Sequence, residues 1–226
     1  MSFKFFTLFI LSFFLLENQH GLVVNSPDSG STYDQLWKDC QLEKVVSKDI
    51  FNIALSGYNK IDKVQKKKII TIIDFTKPST EKRFFVINLE QKKLIFTSWV
   101  AHGKNSGENY AKSFSNQPKS LESSLGFFVT AETYYGKHGY SLRLDGLEKG
   151  INDNARKRSI VIHGASYVSQ AFIKQHGRLG RSWGCPALPI DLSKEIIGSI
   201  ANGSCLFIFA NNKEYLNTSE FIVKEE

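Results

Sequence analysis

The sequence predicts a mainly β, sandwich-like domain with peripheral helices, α+β overall, and three observations lead there. Short apolar runs of strand length dominate the middle of the chain and step through polar hairpin connections. A block with helical periodicity precedes them, and only short helical segments interrupt or follow them. Antiparallel steps of this kind, with a few helices attached, argue for a mainly β, sandwich-like domain. At 226 residues the chain has room for one such domain with a substantial core and a small helical annex.

Residues 1–24 stand apart. Lys4 lies in a short basic start, and Phe5 to Leu16 form a 12-residue run without charge that Glu17-Asn18-Gln19-His20-Gly21 breaks. The run is too short for a helix spanning a hydrocarbon core, which needs ~20 residues, and it matches the apolar region of a secretory signal. The alternative is a buried N-terminal element. No A-x-A-like cleavage site follows, and no cysteine just after the run invites lipid modification. The reading is therefore an exported protein of the periplasm or cell envelope, without a stable membrane span once the signal is removed.

A helical annex is expected over 25–64. Leu36, Leu42, Val45 and Val46, then Ile50, Ile53 and Ala54, recur at helical spacing, with Ser47 as the N-cap of a second helix and Gly57 as its stop. The main domain is expected over 65–211. It opens with a buried strand, Ile69 to Phe75, followed by a hairpin of Arg83 to Leu89 and Leu94 to Ala101 joined by Glu90-Gln91-Lys92-Lys93. Gly103 to Ser124 is rich in Gly, Ser, Asn and Lys and long for a connection, which marks a functional or mobile loop. Leu125 to Tyr135 and Tyr140 to Leu144 flank a second turn, Gly136-Lys137-His138-Gly139. A short strand, Ser159 to Ile162, delivers His163. Val168 to Gln175 is a short helix stopped by Gly177, Asp191 caps a helix running to about Ile200, and Cys205 to Ala210 is the last strand. Residues 212–226 form a polar tail with a few apolar residues, to which the sequence assigns no element.

The net charge of +7 is spread over separate clusters, Lys63 to Lys68, Lys77 to Arg83 and Arg156 to Arg158. That favours a solvated basic surface or attraction to an anionic envelope over one nucleic-acid patch. No aromatic-basic RNA or DNA motif is present, and with the export signal this argues against nucleic acid as a partner. Three cysteines, Cys40, Cys185 and Cys205, leave at least one thiol free in an exported chain. Cys205 sits in an apolar run suited to an inert buried thiol, and a Cys40–Cys205 disulfide is the alternative.

Cys185 has the reactive setting. It ends Arg181-Ser182-Trp183-Gly184-Cys185, 22 residues after His163 in Val161-Ile162-His163-Gly164. A thiolate is the nucleophilic form of cysteine, and a nearby imidazole that takes its proton favours it. Such a base needs an acceptor for its other ring nitrogen. No acid is adjacent, so a backbone carbonyl near Gly164 or Ala165 is the candidate. Pro186 has no N–H, so backbone oxyanion donors at this turn are limited to the amides of Cys185, Gly184 or Trp183. Ser182 could add a hydroxyl, and Arg181 could receive a substrate carboxylate. A structural cysteine beside Gly and Pro remains the plain alternative on residue chemistry alone. A metal site is not expected: His163, His176 and Cys185 have gaps that fit no usual zinc pattern and lack a fourth ligand. No cofactor is implied.

Together these residues resemble the L,D-transpeptidase (YkuD-like) catalytic domain, in its murein L,D-transpeptidase branch. The resemblance rests on Ile162-His163-Gly164 and Ser182-Trp183-Gly184-Cys185. It extends to Ser123-Ser124-Leu125-Gly126-Phe127-Phe128 and to Thr133-Tyr134-Tyr135-Gly136-Lys137-His138-Gly139-Tyr140, covering roughly residues 65–210. It implies an L,D-transpeptidase-like β-sandwich and two-step acyl transfer on peptidoglycan stem peptides. Cys185 would attack the bond between the third and fourth stem residues, D-Ala would leave, and an amine would resolve the thioester. His163 would act as base and then acid, oriented by the Gly164 or Ala165 carbonyl, with Gly184 and Cys185 amides lining the oxyanion hole. Ser182, Arg181, Trp183, Tyr140 and His176 are the substrate-binding candidates. Two departures stand out: Trp183 occupies the family's usual His position, and Ala187 its usual Arg or Asn. The longer His163-to-Cys185 gap inserts the Ser169-to-Gly177 segment. Alternatives are an L,D-carboxypeptidase using water, a non-catalytic wall-binding module, and a papain- or NlpC-like peptidase. The last places Cys before His, the reverse of the order here.

Overall fold

A computed structural model describes residues 29–62 and 68–222. The expected signal segment at 1–24 lies outside the described residues, as does most of the Lys63–Lys68 cluster. In chain order the elements are α1 (Ser29–Asp39), α2 (Lys48–Asn59), β1 (Ile69–Asp74), β2 (Phe84–Asn88), β3 (Lys93–Ser98), β4 (Gly126–Gly136) and β5 (Gly139–Gly146). There follow β6 (Val161–Gly164), α3 (Gln170–His176), β7 (Ala187–Leu188), α4 (Ile190–Ile200), β8 (Cys205–Phe209) and α5 (Lys213–Thr218). The protein is mostly β-sheet with a few helices, as its patterning predicts.

All eight strands join one mixed sheet in the order β3-β2-β1-β8-β4-β5-β6-β7. The two expected hairpins, β2–β3 and β4–β5, pair antiparallel. Two pairings are parallel instead: β1 with β8, and β6 with β7. β1 and β8 lie at the middle of the sheet, and their β-branched and aromatic runs are buried on both faces. The chain leaving β3, one edge of the sheet, reaches the other edge, where Ala101 bridges Ala187 and Gly103 bridges Ser182. The sheet thus curls until the chain beyond β3 meets the β7 edge at these two bridges. The layered, sandwich-like form comes from this curling rather than from two separate sheets.

Ser47 caps α2, its hydroxyl accepting from the Ile50 amide at 3.3 Å. Gly57 does not stop that helix, which runs on to Asn59. Gly57 is buried against the sheet, and a Cβ there would lie 2.1 Å from the Phe127 ring. The glycine therefore serves close packing rather than termination. Gly177, by contrast, ends α3 in the left-handed conformation at φ 70°. Asp191 does not cap α4; Pro189 occupies the cap position without a side-chain bond, and Asp191 lies in the first turn, where its charge suits the helix dipole. The tail carries α5, whose Tyr215 is buried and donates to Glu148 Oε1 at 3.2 Å. Glu148 Oε1 also accepts from the Phe127 amide at 2.7 Å, so one buried carboxyl joins the tail to the start of β4.

β4 carries a register shift between Thr130 and Thr133. Before it β4 pairs with β8; beyond it only β5 remains as partner, so the hairpin projects with His138 and Tyr135 near its tip. Such bulges bend and re-aim a strand, and this one leaves the tip beside β6. All three cysteines are free thiols, with Cys40 and Cys205 buried. Among the described residues no helix is long and apolar enough to cross a membrane.

Candidate functional site

The site forms where the sheet edges meet. β6 and β7 pair over only two positions, His163 with Ala187 and Gly164 with Leu188. The turn bearing Cys185 immediately precedes β7, so this short ladder ties it to the strand that carries His163. Gly184 has φ 119°, and a Cβ there would sit 2.7 Å from the Glu122 carbonyl oxygen. Both the conformation and the close approach call for glycine. Ser182 is buried, accepts from the Gly184 amide at 3.1 Å and donates to the Cys185 carbonyl at 2.6 Å. Ser123 Oγ donates to the Gly184 carbonyl at 3.2 Å.

A second clamp comes from residues 102–104. The Ser182 amide donates to the His102 carbonyl at 2.9 Å, and the Lys104 amide to the Ser182 carbonyl at 2.8 Å. His102 is itself buried, with Nδ1 2.7 Å from Arg83 Nη2 and Nε2 3.2 Å from the Gly107 carbonyl. Arg83 is an obligate donor and Gly107 O an obligate acceptor, so the ring is neutral with its proton on Nε2. Burial and the Arg83 charge push its pKa down to about 3. Arg83, fully buried, donates to the Val100 and Lys77 carbonyls and packs on Phe75; burial lowers its pKa to about 9.

The Cys185 thiol is half-buried. Its sulfur accepts from the Val161 amide at 3.5 Å and faces the Ser159 carbonyl at 3.6 Å. Burial pushes its pKa up, while the Val161 amide and the Arg158 charge pull it back. His163 is buried, and its Nδ1 lies 2.9 Å from the Gly164 carbonyl. That carbonyl can only accept, so Nδ1 carries the proton and Nε2 is the basic nitrogen. Burial holds the imidazole pKa below its ordinary value, with nearby His138 adding to the effect. The two rings stack at 4.4 Å and 26°. The thiol and imidazole are not hydrogen-bonded to each other: the sulfur is engaged by residues 159 and 161, one pleat or ~6–7 Å of strand before His163.

The other sequence candidates fall into different settings. The Gly184 amide is consumed by Ser182, whereas the Trp183 and Cys185 amides have no protein acceptor among the described residues. The Ala165 carbonyl accepts from the Val168 amide at 3.1 Å, leaving Gly164 O as the one facing His163. Arg181 already has an acid partner: its Nη1 pairs with Glu108 at 2.6 Å and donates to the Lys104 and Gly107 carbonyls. Glu108 also binds Arg178 at 2.8 Å, so local acid satisfies both cations. Trp183 is 72% exposed at the turn. Tyr140 is half-buried and pairs with the exposed Tyr135 at 5.2 Å. His176 is exposed at the end of α3 against Phe172, 4.2 Å between rings, and joins neither the thiol nor a metal cluster. Ala187 is fully buried with Ala101, Ala165, Val168 and Leu179, beneath the inserted segment that bears α3.

The sequence did not single out His102 or Arg158 as site residues, and it named Ser123 and His138 only within longer motifs. His102-Gly103 repeats the His-Gly pairing of the site, but His102 falls between the strand expected to end at Ala101 and the loop expected from Gly103. A cavity of about 1080 Å³ between α2, the ends of β1 and β8, and α5 has no lining residue from 161–187, so it is separate from this chemistry.

The chain belongs to the L,D-transpeptidase catalytic domain family, which matches residues 42–209. Solved structures with local similarity include an L,D-transpeptidase from Mycobacterium smegmatis, 12% identical over 63% of this chain and 59% of that one, with a TM-score of 0.39. Another is an L,D-transpeptidase from Mycobacterium tuberculosis H37Rv, 12% identical over 63% and 58%, TM-score 0.37. A third comes from Xylanimonas cellulosilytica, 14% identical over 62% and 60%, TM-score 0.34. The chain thus spans about three fifths of the length of these structures. No curated protein matches it.

Proposed function

We propose that this protein is an exported cysteine L,D-transpeptidase acting on peptidoglycan stem peptides. The observation that carries the reading is a thiol on a glycine turn, stitched by the β6–β7 ladder to a buried neutral histidine whose proton is fixed on Nδ1. In the reaction Cys185 rotates from the Ser159 carbonyl toward Nε2 of His163 and gives up its proton. The thiolate attacks the carbonyl of the third stem residue, and the oxyanion is received by the free amides of Cys185 and Trp183. His163 returns the proton to the departing D-Ala amine. It then takes one from the incoming amine as the thioester is resolved. The Gly164 carbonyl keeps the tautomer correct throughout. The uncharged run within residues 1–24 supports export.

Incubation of the purified protein with tetrapeptide muropeptides tests this. Cross-linked dimers with released D-Ala are expected, falling by roughly 10³-fold or more in Cys185→Ala. Tripeptides alone would assign water as the acceptor. No turnover, with wall binding retained by Cys185→Ser, would make the domain a binding module.

A further inference from the structure

We propose that Arg158 is a positioning residue for the Cys185 thiolate, clamping the loop beneath the nucleophile turn and supplying the positive charge that the ionised sulfur faces. This rests on Cys185 being the nucleophile, but its test reads the thiol itself. The Arg158 guanidinium donates from Nη1 to the Ser115 carbonyl at 2.5 Å and to Ser124 Oγ, and from Nη2 to the Glu122 carbonyl at 2.6 Å and Ser120 Oγ at 3.1 Å. All four acceptors are neutral oxygens. Among the described residues Arg158 forms no ion pair, whereas its neighbour Arg156 is paired with Glu132 and Asp145 at the surface. A half-buried cation held only by neutral acceptors keeps its field, and burial without a counterion is costly.

The Glu122 carboxylate lies near Arg158 but is bound by Ser113, and the nucleophile turn is the other place where the guanidinium meets a group that can become an anion. A Cβ on Gly184 would lie 3.4 Å from Arg158 Nη2, so the guanidinium abuts the residue before Cys185. The chain then turns at Ser159, φ 57°, and residues 159 to 161 wrap the sulfur with one carbonyl and one amide. The Ser159 carbonyl favours the protonated thiol, since it can accept only S–H. Once the proton leaves, that contact turns unfavourable, and the Val161 amide and Arg158 are the stabilising groups that remain. Other ionisable groups around the guanidinium and the sulfur are Glu122, near Arg158 on the clamped loop, His163 on β6 and Tyr167 after it. Of these, only His163 can add a positive charge, and its imidazole is held neutral until it receives the thiol proton.

The test is the pH dependence of iodoacetamide alkylation, located by peptide mass spectrometry. Cys40 and Cys205 are buried with thiols pushed up, that of Cys40 to about 11, so the reagent reports Cys185. Arg158→Gln should raise the midpoint by about one pH unit, slowing alkylation near neutrality about tenfold. Arg158→Lys, which keeps the charge but loses the fork, should hold the midpoint within a few tenths of a unit. An unchanged midpoint in folded R158Q overturns the proposal, as does R158K shifting as far as R158Q. A shifted midpoint without muropeptide turnover would leave this inference standing and remove the proposed function; turnover without a shift would do the reverse.

Discussion

Two helical glycines should respond to the same substitution with opposite signs. In a helix interior Gly→Ala stabilises by ~1 kcal/mol through backbone entropy and solvation. Gly198 in α4 is exposed, and a Cβ built there meets no atom within 4 Å, so Gly198→Ala should gain that amount in full. At Gly57 the same Cβ would lie 2.1, 2.5 and 2.6 Å from three atoms of the Phe127 ring. Carbon atoms settle at ~3.5–4 Å, so the ring must move by more than an ångström. It has little freedom to do so, stacked on Phe207 at 4.2 Å and against Phe221 at 5.2 Å. Overpacking of this kind costs ~1–3 kcal/mol, and the rigidity of the aromatic stack puts Gly57→Ala in the upper part of that range. After the propensity gain, a net loss of ~1–2 kcal/mol remains. For a domain of this size that lowers Tm by roughly 2–8 °C, while Gly198→Ala raises it by roughly 2–4 °C. Thermal unfolding followed by circular dichroism reads both. A rise in Tm for Gly57→Ala would refute the packing argument and restore Gly57 as an ordinary helix residue.

Two further predictions concern histidines. His102 is a base whose pKa folding lowers from 6.5 to about 3, so its contribution to stability is complete above 6.5 and is lost as pH falls toward 3. The slope approaches ~1.4 kcal/mol per pH unit in that window. Urea unfolding between pH 7 and 4 should give a shallower acid slope for His102→Gln, and an identical slope would remove His102 from the balance. At His163 burial outranks the His138 charge in holding the pKa down. His138→Phe, which keeps the stacked ring, should therefore raise the His163 pKa less than His138→Ala, which uncovers it. NMR titration of the imidazole compares the two, and an equal or larger rise in His138→Phe would mean that charge dominates.

Local chemistry was legible wherever a feature is made by neighbours in sequence. Ser47 and Gly177 read correctly because a cap or a left-handed stop is decided within one turn of chain. The hairpins read correctly because alternation and turn residues are local too. The parallel pairing of β1 with β8 was not legible: it joins Ile70 to Cys205 and Asp74 to Phe209, and nothing in either run names its partner. Gly57 misled because a glycine that ends a helix and one that admits an aromatic ring look alike until the ring is in place. Asp191 misled because a carboxylate in the first turn and one at the cap differ by two positions.

The same division governs the site. Cys185 and His163 could be singled out because each has a local signature, a glycine turn and a strand ending in His-Gly. The sequence offers Arg181 to a substrate carboxylate, and no local pattern announces that Glu108, 73 residues earlier, pairs with it. Arg158 and His102 were missed for the same reason. Their partners are backbone oxygens, serine hydroxyls and a buried arginine brought in from residues 83 to 124, a convergence that leaves no spacing in the sequence. The Cys185 turn is followed by only two residues of sheet ladder, Ala187 and Leu188, too little pairing to fix a thiol by itself. Its rigidity comes from the 102–104 segment on one side and the 115–124 loop on the other, each held in place by an arginine. Substitutions that loosen either arginine should therefore disturb the thiol before they disturb the sheet.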